Sequence, residues 1–241
     1  MTEDKFREAD IVALIKEMEH MFGDIGDSAL IFEKAIMQQK TIMDCMICTQ
    51  NKGVIGIEIK TERDSTQRLN KQLSDYSKVC DYVYVMCHDS HVGKVEKILK
   101  AKNYNHVGII AYIQIGVTPW VGIYKEATKS PVKDVYHTLN ILWRKDLSTM
   151  LGTFKHITSR IEEAHPELQG ASYSNRSGGL SGVVNQPLVS QNARKPVLIN
   201  ALISRLGQEE ANKVFCDVMI NNRNHPEKSI KIEHFNPKEG I

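Results

Sequence analysis

Two alternating apolar runs joined by a short polar turn constrain this chain more than any other feature of it. Thr41 to Cys48 and residues 53–62 flank Thr49-Gln50-Asn51-Lys52-Gly53, which reads as two adjacent strands in a hairpin-type connection. In the second run the period of two places Glu58 and Lys60 on one face and Ile55, Ile57 and Ile59 on the other. The first run places Ile42, Asp44, Met46 and Cys48 on one side. Two carboxylates and an ammonium thus meet on neighbouring strands, a setting for a hard divalent cation beside a water to be activated. Carboxylates among aliphatic side chains are costly to desolvate, and a bound cation offsets that cost. Phosphodiester hydrolysis suits such a site.

Asp44 and Glu58 are therefore the expected metal ligands, with the backbone carbonyl of Ile59 as a third oxygen. Magnesium keeps several waters and commonly takes only one or two protein carboxylates, so the inventory is sufficient. Lys60 would orient the attacking water or stabilise charge developing on phosphorus. Glu33, expected on a helix just before the first strand, would reach the metal shell from behind, with Glu17 and Glu19 as competitors for that role. In the following helix Gln72 lies one turn after Arg68 and one turn before Tyr76, forming a stripe. Gln72 can hold a water or phosphate oxygen without adding charge, and Arg68 can grip a phosphate.

Around this pair the periodicity predicts an α/β protein. Residues 4–22 read as an amphipathic helix carrying Phe6, Ile11, Leu14, Ile15 and Met18. Gly23 to Asp27 breaks it, and Asp27 or Ser28 is expected to cap a second helix running to about Gln38. After the hairpin, Asp64 or Ser65 is expected to cap a helix to about Val79. Tyr82 to Cys87 reads as a buried strand, followed by a helix near 91–102 and a strand near 107–113, a parallel crossover unit. Pro119 to Glu126 is expected as an edge strand. Residues 131–163 look helical, Pro166 to Pro196 reads as a long mobile loop or linker, and a last helix covers about 197–221. The expected organisation is a core over 1–126 and a helical extension over 127–241 containing a flexible loop at about 166–196.

Composition excludes more than it selects. A net charge of +2 permits a local nucleic-acid patch without demanding one. No stretch approaches the roughly 20 apolar residues of a membrane span, and the amino terminus lacks a signal-peptide pattern; a cytoplasmic protein with no membrane partner is expected. The five cysteines are an odd set, read as reduced and mostly buried thiols. Cys45-x-x-Cys48 lies in a strand, where that spacing sends the two thiols to opposite faces. Trp120 and Trp143 are expected as core anchors rather than base-stacking platforms. Arg176, Arg194 and Lys195 are candidates to close over a nucleic-acid backbone.

Asp44, then Glu58-Ile59-Lys60, then Gln72-x-x-x-Tyr76 resembles the PD-(D/E)XK, restriction-endonuclease-like nuclease superfamily, and the glutamine–tyrosine element is similar to that of its RecB-like members. More narrowly, Glu58-Ile59-Lys60-x-x-x-Asp64-x-x-x-Arg68-Leu69-x-x-Gln72-Leu73-x-x-Tyr76 with Asp81-x-Val83-Tyr84-Val85 resembles a small bacterial and phage branch. Pro119-Trp120-x-Gly122-Ile123 and Leu142-Trp143-Arg144-Lys145-Asp146-Leu147 extend the likeness, which runs from about Glu33 to Leu151. The residue before Asp44 is Met43 rather than the proline of the family pattern. The resemblance implies a mixed central sheet flanked by helices with the site at one sheet end. It also implies Mg2+ or Mn2+ held by Asp44 and Glu58, Lys60 assisting the water, Gln72 supporting the site, and Glu33 in the helical acidic position. Arg68 and Tyr76 would contact substrate.

The expected activity is magnesium-dependent hydrolysis of DNA phosphodiester bonds, leaving 5′-phosphate products. The alternative is a non-catalytic nuclease-fold module of phage or mobile-element origin that binds nucleic acid or a host protein. A third possibility is an enzyme acting on RNA, or one working with a second copy of itself or with a recognition or motor subunit.

Overall fold

The computed structural model describes residues 8–115, 118–151, 193–221 and 232–235. Helix α1 (Glu8–Glu17) and a short 3-10 turn (Glu19–Phe22) lead into three strands, β1 (Ser28–Ile36), β2 (Thr41–Thr49) and β3 (Gly53–Lys60). Helix α2 (Leu69–Val79), β4 (Tyr82–His88), α3 (Val92–Ala101), β5 (Gly108–Ile115) and β6 (Thr118–Lys125) follow. Then come α4 (Val135–Leu139), a helical segment α5 over 144–151, α6 (Lys195–Asn221) and β7 (Ile232–Phe235). The strand order is β6-β5-β4-β3-β2-β1-β7. β1, β2 and β3 form an antiparallel meander, β3-β4 and β4-β5 are parallel, and β6 returns antiparallel at the edge. The class is thus α/β, as the periodicity predicts, with a mixed central sheet flanked by helices, as the resemblance implies, and a C-terminal helix. The expected hairpin, the crossover through α3 and the edge strand are all present.

The segment expected as a second helix to Gln38 is instead strand β1. Ala29, Leu30 and Ile31 are consecutive and all buried, because this strand is covered on both faces. A doubly covered strand shows a continuous apolar run rather than alternation, and over a few residues that run is indistinguishable from a buried helix. Helix α2 also starts later than expected. Asp64 accepts from the Thr61 N–H and hydroxyl and so closes a turn of its own, while the position before Leu69 is Arg68, with no side-chain cap. The helical pattern over 131–163 breaks between α4 and α5, and residues 152–163, most of the expected linker and residues 4–7 of the first helix lie outside the described residues.

The sheet divides two apolar layers. One layer packs Ile11, Leu14, Ile15, Met18 and Phe22 onto Ile47, Ile55, Ile57 and Ile110. The other packs α2, α3, α4, α5 and α6 onto Met43, Met46, Val54, Val83 and Val85 as a single cluster. Cys45 belongs to the first layer and Cys48 to the second, the opposite-face placement expected of that spacing, and all five cysteines are free and buried. The tryptophans depart from expectation: Trp120 is 61% and Trp143 52% exposed. Trp120 alternates with the half-buried Val121 and Ile123 on the edge strand, and Trp143 sits in the break between α4 and α5, where helical spacing no longer sets direction.

A polar knot fastens the late helices to the sheet. The Asp81 carboxylate, just before β4, accepts from the Val54 N–H at 2.8 Å, from Asn212 Nδ2 of α6 at 2.9 Å and from the Lys133 ammonium. Gly53 approaches so closely, at φ +80°, that a Cβ there would lie 2.2 Å from Asp81 Oδ2.

Candidate active site

The β2–β3 ladder runs from Thr49↔Gly53 to Cys45↔Ile57, so Asp44 and Glu58 are the next positions in register. There the Asp44 carboxylate takes over the role of a backbone acceptor: the Ile59 N–H donates to Asp44 Oδ2 at 2.8 Å. Side-chain capture of a strand N–H ties Asp44 to the Glu58-Ile59-Lys60 segment. On β3, Glu58 and Lys60 turn towards α2, while Ile59 packs in the opposite layer. Only the backbone of Ile59 is therefore at the site.

Glu58 is fully buried. One carboxylate oxygen accepts from the Lys60 ammonium and the other from the Tyr76 hydroxyl at 2.5 Å. That hydroxyl in turn accepts the Asp44 N–H at 3.0 Å. Burial, then the Glu58 and Asp44 carboxylates, raise the Tyr76 pKa, so the phenol stays protonated and donates. Tyr76, expected to contact substrate, is completely buried; it bridges the Glu58 carboxylate and the backbone of Asp44 instead. Its spacing from Gln72 carried a signal, but one for a brace rather than a contact surface.

Gln72 lies one turn earlier on α2. A Cβ on Gly56 would meet Cys80 and Tyr76, and the Tyr76 hydroxyl reaches Glu58, so each helical turn advances about two strand residues. By that spacing Gln72 stands level with Lys60. Its Oε1 is buried and has no hydrogen-bond partner among the described residues, which is unusual for an amide oxygen. Arg68, at the exposed start of α2, lies a further turn towards the sheet end.

Glu33 is not helical. It is an exposed residue of β1 with φ +52°, flanked by the pairs Phe32↔Cys45 and Lys34↔Met43. That register sets it beside Asp44 across the ladder, so the acidic neighbour expected from sequence is present on a different element. Glu17 lies at the end of α1 and Glu19 in the 3-10 turn, whose buried side chains pack on the other layer of the sheet.

Among the described residues no group of three or more His, Cys, Asp or Glu side chains is arranged to hold a metal ion. The candidate oxygen donors are the carboxylates of Asp44 and Glu58 and, one turn from Tyr76 on α2, the orphaned amide oxygen of Gln72. An all-oxygen set of this size fits Mg2+ or Mn2+, which complete their shells with water, and does not fit a thiolate- or imidazole-preferring metal.

The fold is an α/β sheet that carries two carboxylates and a lysine on its central strands. The model of the family described as Bacteriophage P4 protein cII matches residues 1–177, and the chain belongs to that family. No curated protein matches it. Among solved structures, a protein of unknown function from Silicibacter pomeroyi is similar over 60% of this chain and 85% of its own, at 14% identity and a TM-score of 0.33. No helix among the described residues is long and apolar enough to cross a membrane.

Proposed function

We propose that this protein is a metal-dependent nuclease of the PD-(D/E)XK type that hydrolyses DNA phosphodiester bonds. The observation that carries the reading is that Asp44, Glu58 and Lys60, from two strands, belong to one hydrogen-bonded cluster: the Tyr76 hydroxyl bridges the Asp44 N–H and the Glu58 carboxylate, Glu58 holds the Lys60 ammonium, and the Ile59 N–H holds the Asp44 carboxylate. Asp44 and Glu58 would hold Mg2+ or Mn2+, which when bound supplies a Lewis acid for a phosphate oxygen and lowers the pKa of a water. Tyr76 ties the Glu58 carboxylate to the Asp44 backbone N–H through one hydroxyl. Ile59 fixes the Asp44 carboxylate through its N–H. Lys60 is placed to hold the attacking water or to stabilise negative charge on phosphorus. Gln72 offers a buried oxygen that lacks a partner among the described residues, level with Lys60, for a water in the same site.

The direct test is cleavage of supercoiled, linear and single-stranded DNA with magnesium, manganese or chelator. Asp44→Ala and Lys60→Ala should each abolish magnesium-dependent cleavage and leave the circular dichroism spectrum unchanged. Undiminished cleavage by both variants would remove these residues from the mechanism.

A non-catalytic module that binds nucleic acid or a host protein is favoured by one observation: both Glu58 oxygens are already occupied, by Lys60 and Tyr76. Metal titration separates the readings. A nuclease should bind Mn2+ measurably, with weaker binding in Asp44→Asn, whereas a self-contained ion pair should ignore the ion.

A further inference from the structure

A cavity of about 610 Å³ opens between the β1–β2 turn and the adjoining ends of α4, α5 and α6. Its size is that of a small-molecule or single-nucleotide site. Three cationic side chains line it, Lys34, Arg144 and Lys195, against one carboxylate, Glu33, and the exposed indole of Trp143 stands at its wall. Lys34 is only 7% exposed. Lys195 is half-buried, with its pKa lowered by burial and then by the Lys34 charge, and Asp146 opposing. Two ammoniums thus share one cavity closely enough to repel. The frame is fixed: Lys195 Nζ donates to the Asn140 carbonyl at 2.6 Å, and Arg144 Nε to the Ala193 carbonyl at 3.0 Å.

The cavity adjoins the candidate active site. Glu33 lines it, and the strand register sets Glu33 beside Asp44; directly opposed positions of an antiparallel ladder lie about 5 Å apart. A cationic cavity with one aromatic wall suits a nucleotide, with the phosphate towards the lysines and arginine and the base on the indole. A base can enter only if unpaired, so a duplex is excluded from it.

The geometry points to a subsite for an unpaired nucleotide of single-stranded DNA next to the scissile bond, with Trp143 stacking the base and Lys34, Arg144 and Lys195 holding its phosphate. This rests on the nuclease reading for its neighbour but is testable without cleavage. Fluorescence anisotropy of a labelled oligothymidylate, with chelator present, measures binding to the full chain.

Single-stranded DNA should bind more tightly than a blunt duplex. Trp143→Leu should weaken that binding about five- to hundred-fold, the range of one lost base stack. Arg144→Gln and Lys195→Gln should each reduce the salt slope by about 0.7. Thymidine monophosphate should compete weakly. The assignment is overturned by wild-type binding in Trp143→Leu together with unchanged salt slopes, by a preference for the duplex, or by mononucleotide binding as tight as the oligonucleotide, which would mark a free-nucleotide site. A protein that binds in this way but cuts nothing with magnesium would lose the nuclease reading and keep the subsite.

Discussion

Replacing Tyr76 by Phe tests the brace at the heart of the site. The ring and its packing are kept, and one oxygen is removed. That oxygen satisfies two groups, the Asp44 N–H at 3.0 Å and a Glu58 carboxylate oxygen at 2.5 Å. A buried polar group left without its partner costs about 1–3 kcal/mol, and more when charged. Two such groups set the expected loss at roughly 2–6 kcal/mol, a large part of the ~5–15 kcal/mol typical of a folded domain. Glu58 keeps Lys60, which places the figure in the lower half of that range. Urea denaturation should show the midpoint falling with the slope unchanged, since the surface exposed on unfolding is the same. In a Glu58→Gln background the same change should cost about 1 kcal/mol less, because a neutral acceptor loses less than a carboxylate. A Tyr76→Phe midpoint within error of wild type would refute the claim that one hydroxyl ties the Asp44 backbone to the Glu58 carboxylate.

Other perturbations follow from the same geometry. Gly53→Ala should destabilise by more than ~2 kcal/mol in urea, because φ +80° and the 2.2 Å approach to Asp81 both exclude a Cβ. Asp81→Ala should cost about 3–5 kcal/mol by leaving the Lys133 ammonium buried without a counter-charge, its remaining partner being Asn212 Oδ1; Lys133→Met in the same background should recover part of it. Burial holds the Cys45, Cys48 and Cys80 thiols well above their usual range and pushes Cys87 up to about 12. A raised folded-state pKa means that the unfolded chain releases the proton first. Stability should therefore be constant below the unfolded thiol value near ~8.5 and fall as pH rises beyond it. Urea midpoints from neutral to strongly alkaline pH read this, and Cys48→Ala should make the decline shallower. Iodoacetamide should leave the native thiols unmodified and label them in denaturant.

The central strands and the crossover were legible because their alternation and flanking turns leave one register. Glu58 and Lys60 share a face by period alone, and that placement is the one observed. β1 was not legible. Its Ala29-Leu30-Ile31-Phe32 run is covered on both sides, and its positive-φ residue at Glu33 erases the alternation that would have marked a strand. The proximity of Glu33 to Asp44 depends on that strand pairing, which no local pattern announces. The role of Tyr76 needed the depth of α2, which a helical stripe cannot give. The exposure of Trp143 is not legible because a break after Leu139 changes the direction of every later position.

The Asp81 knot makes the carboxylate site hostage to a segment far along the chain. Asn212 is needed to complete the coordination of Asp81, and Leu198, Ile199, Leu202, Phe215 and Met219 of the same helix cover the α2-side face of β2 and β3. A protease nick that releases residues 193–221 would strip that covering and unbalance a buried charge in one event. The hairpin bearing Asp44 and Glu58 would then be bared to solvent on the side from which Tyr76 braces it. The integrity of the carboxylate cluster in this chain is thereby conditional on its last helix having docked.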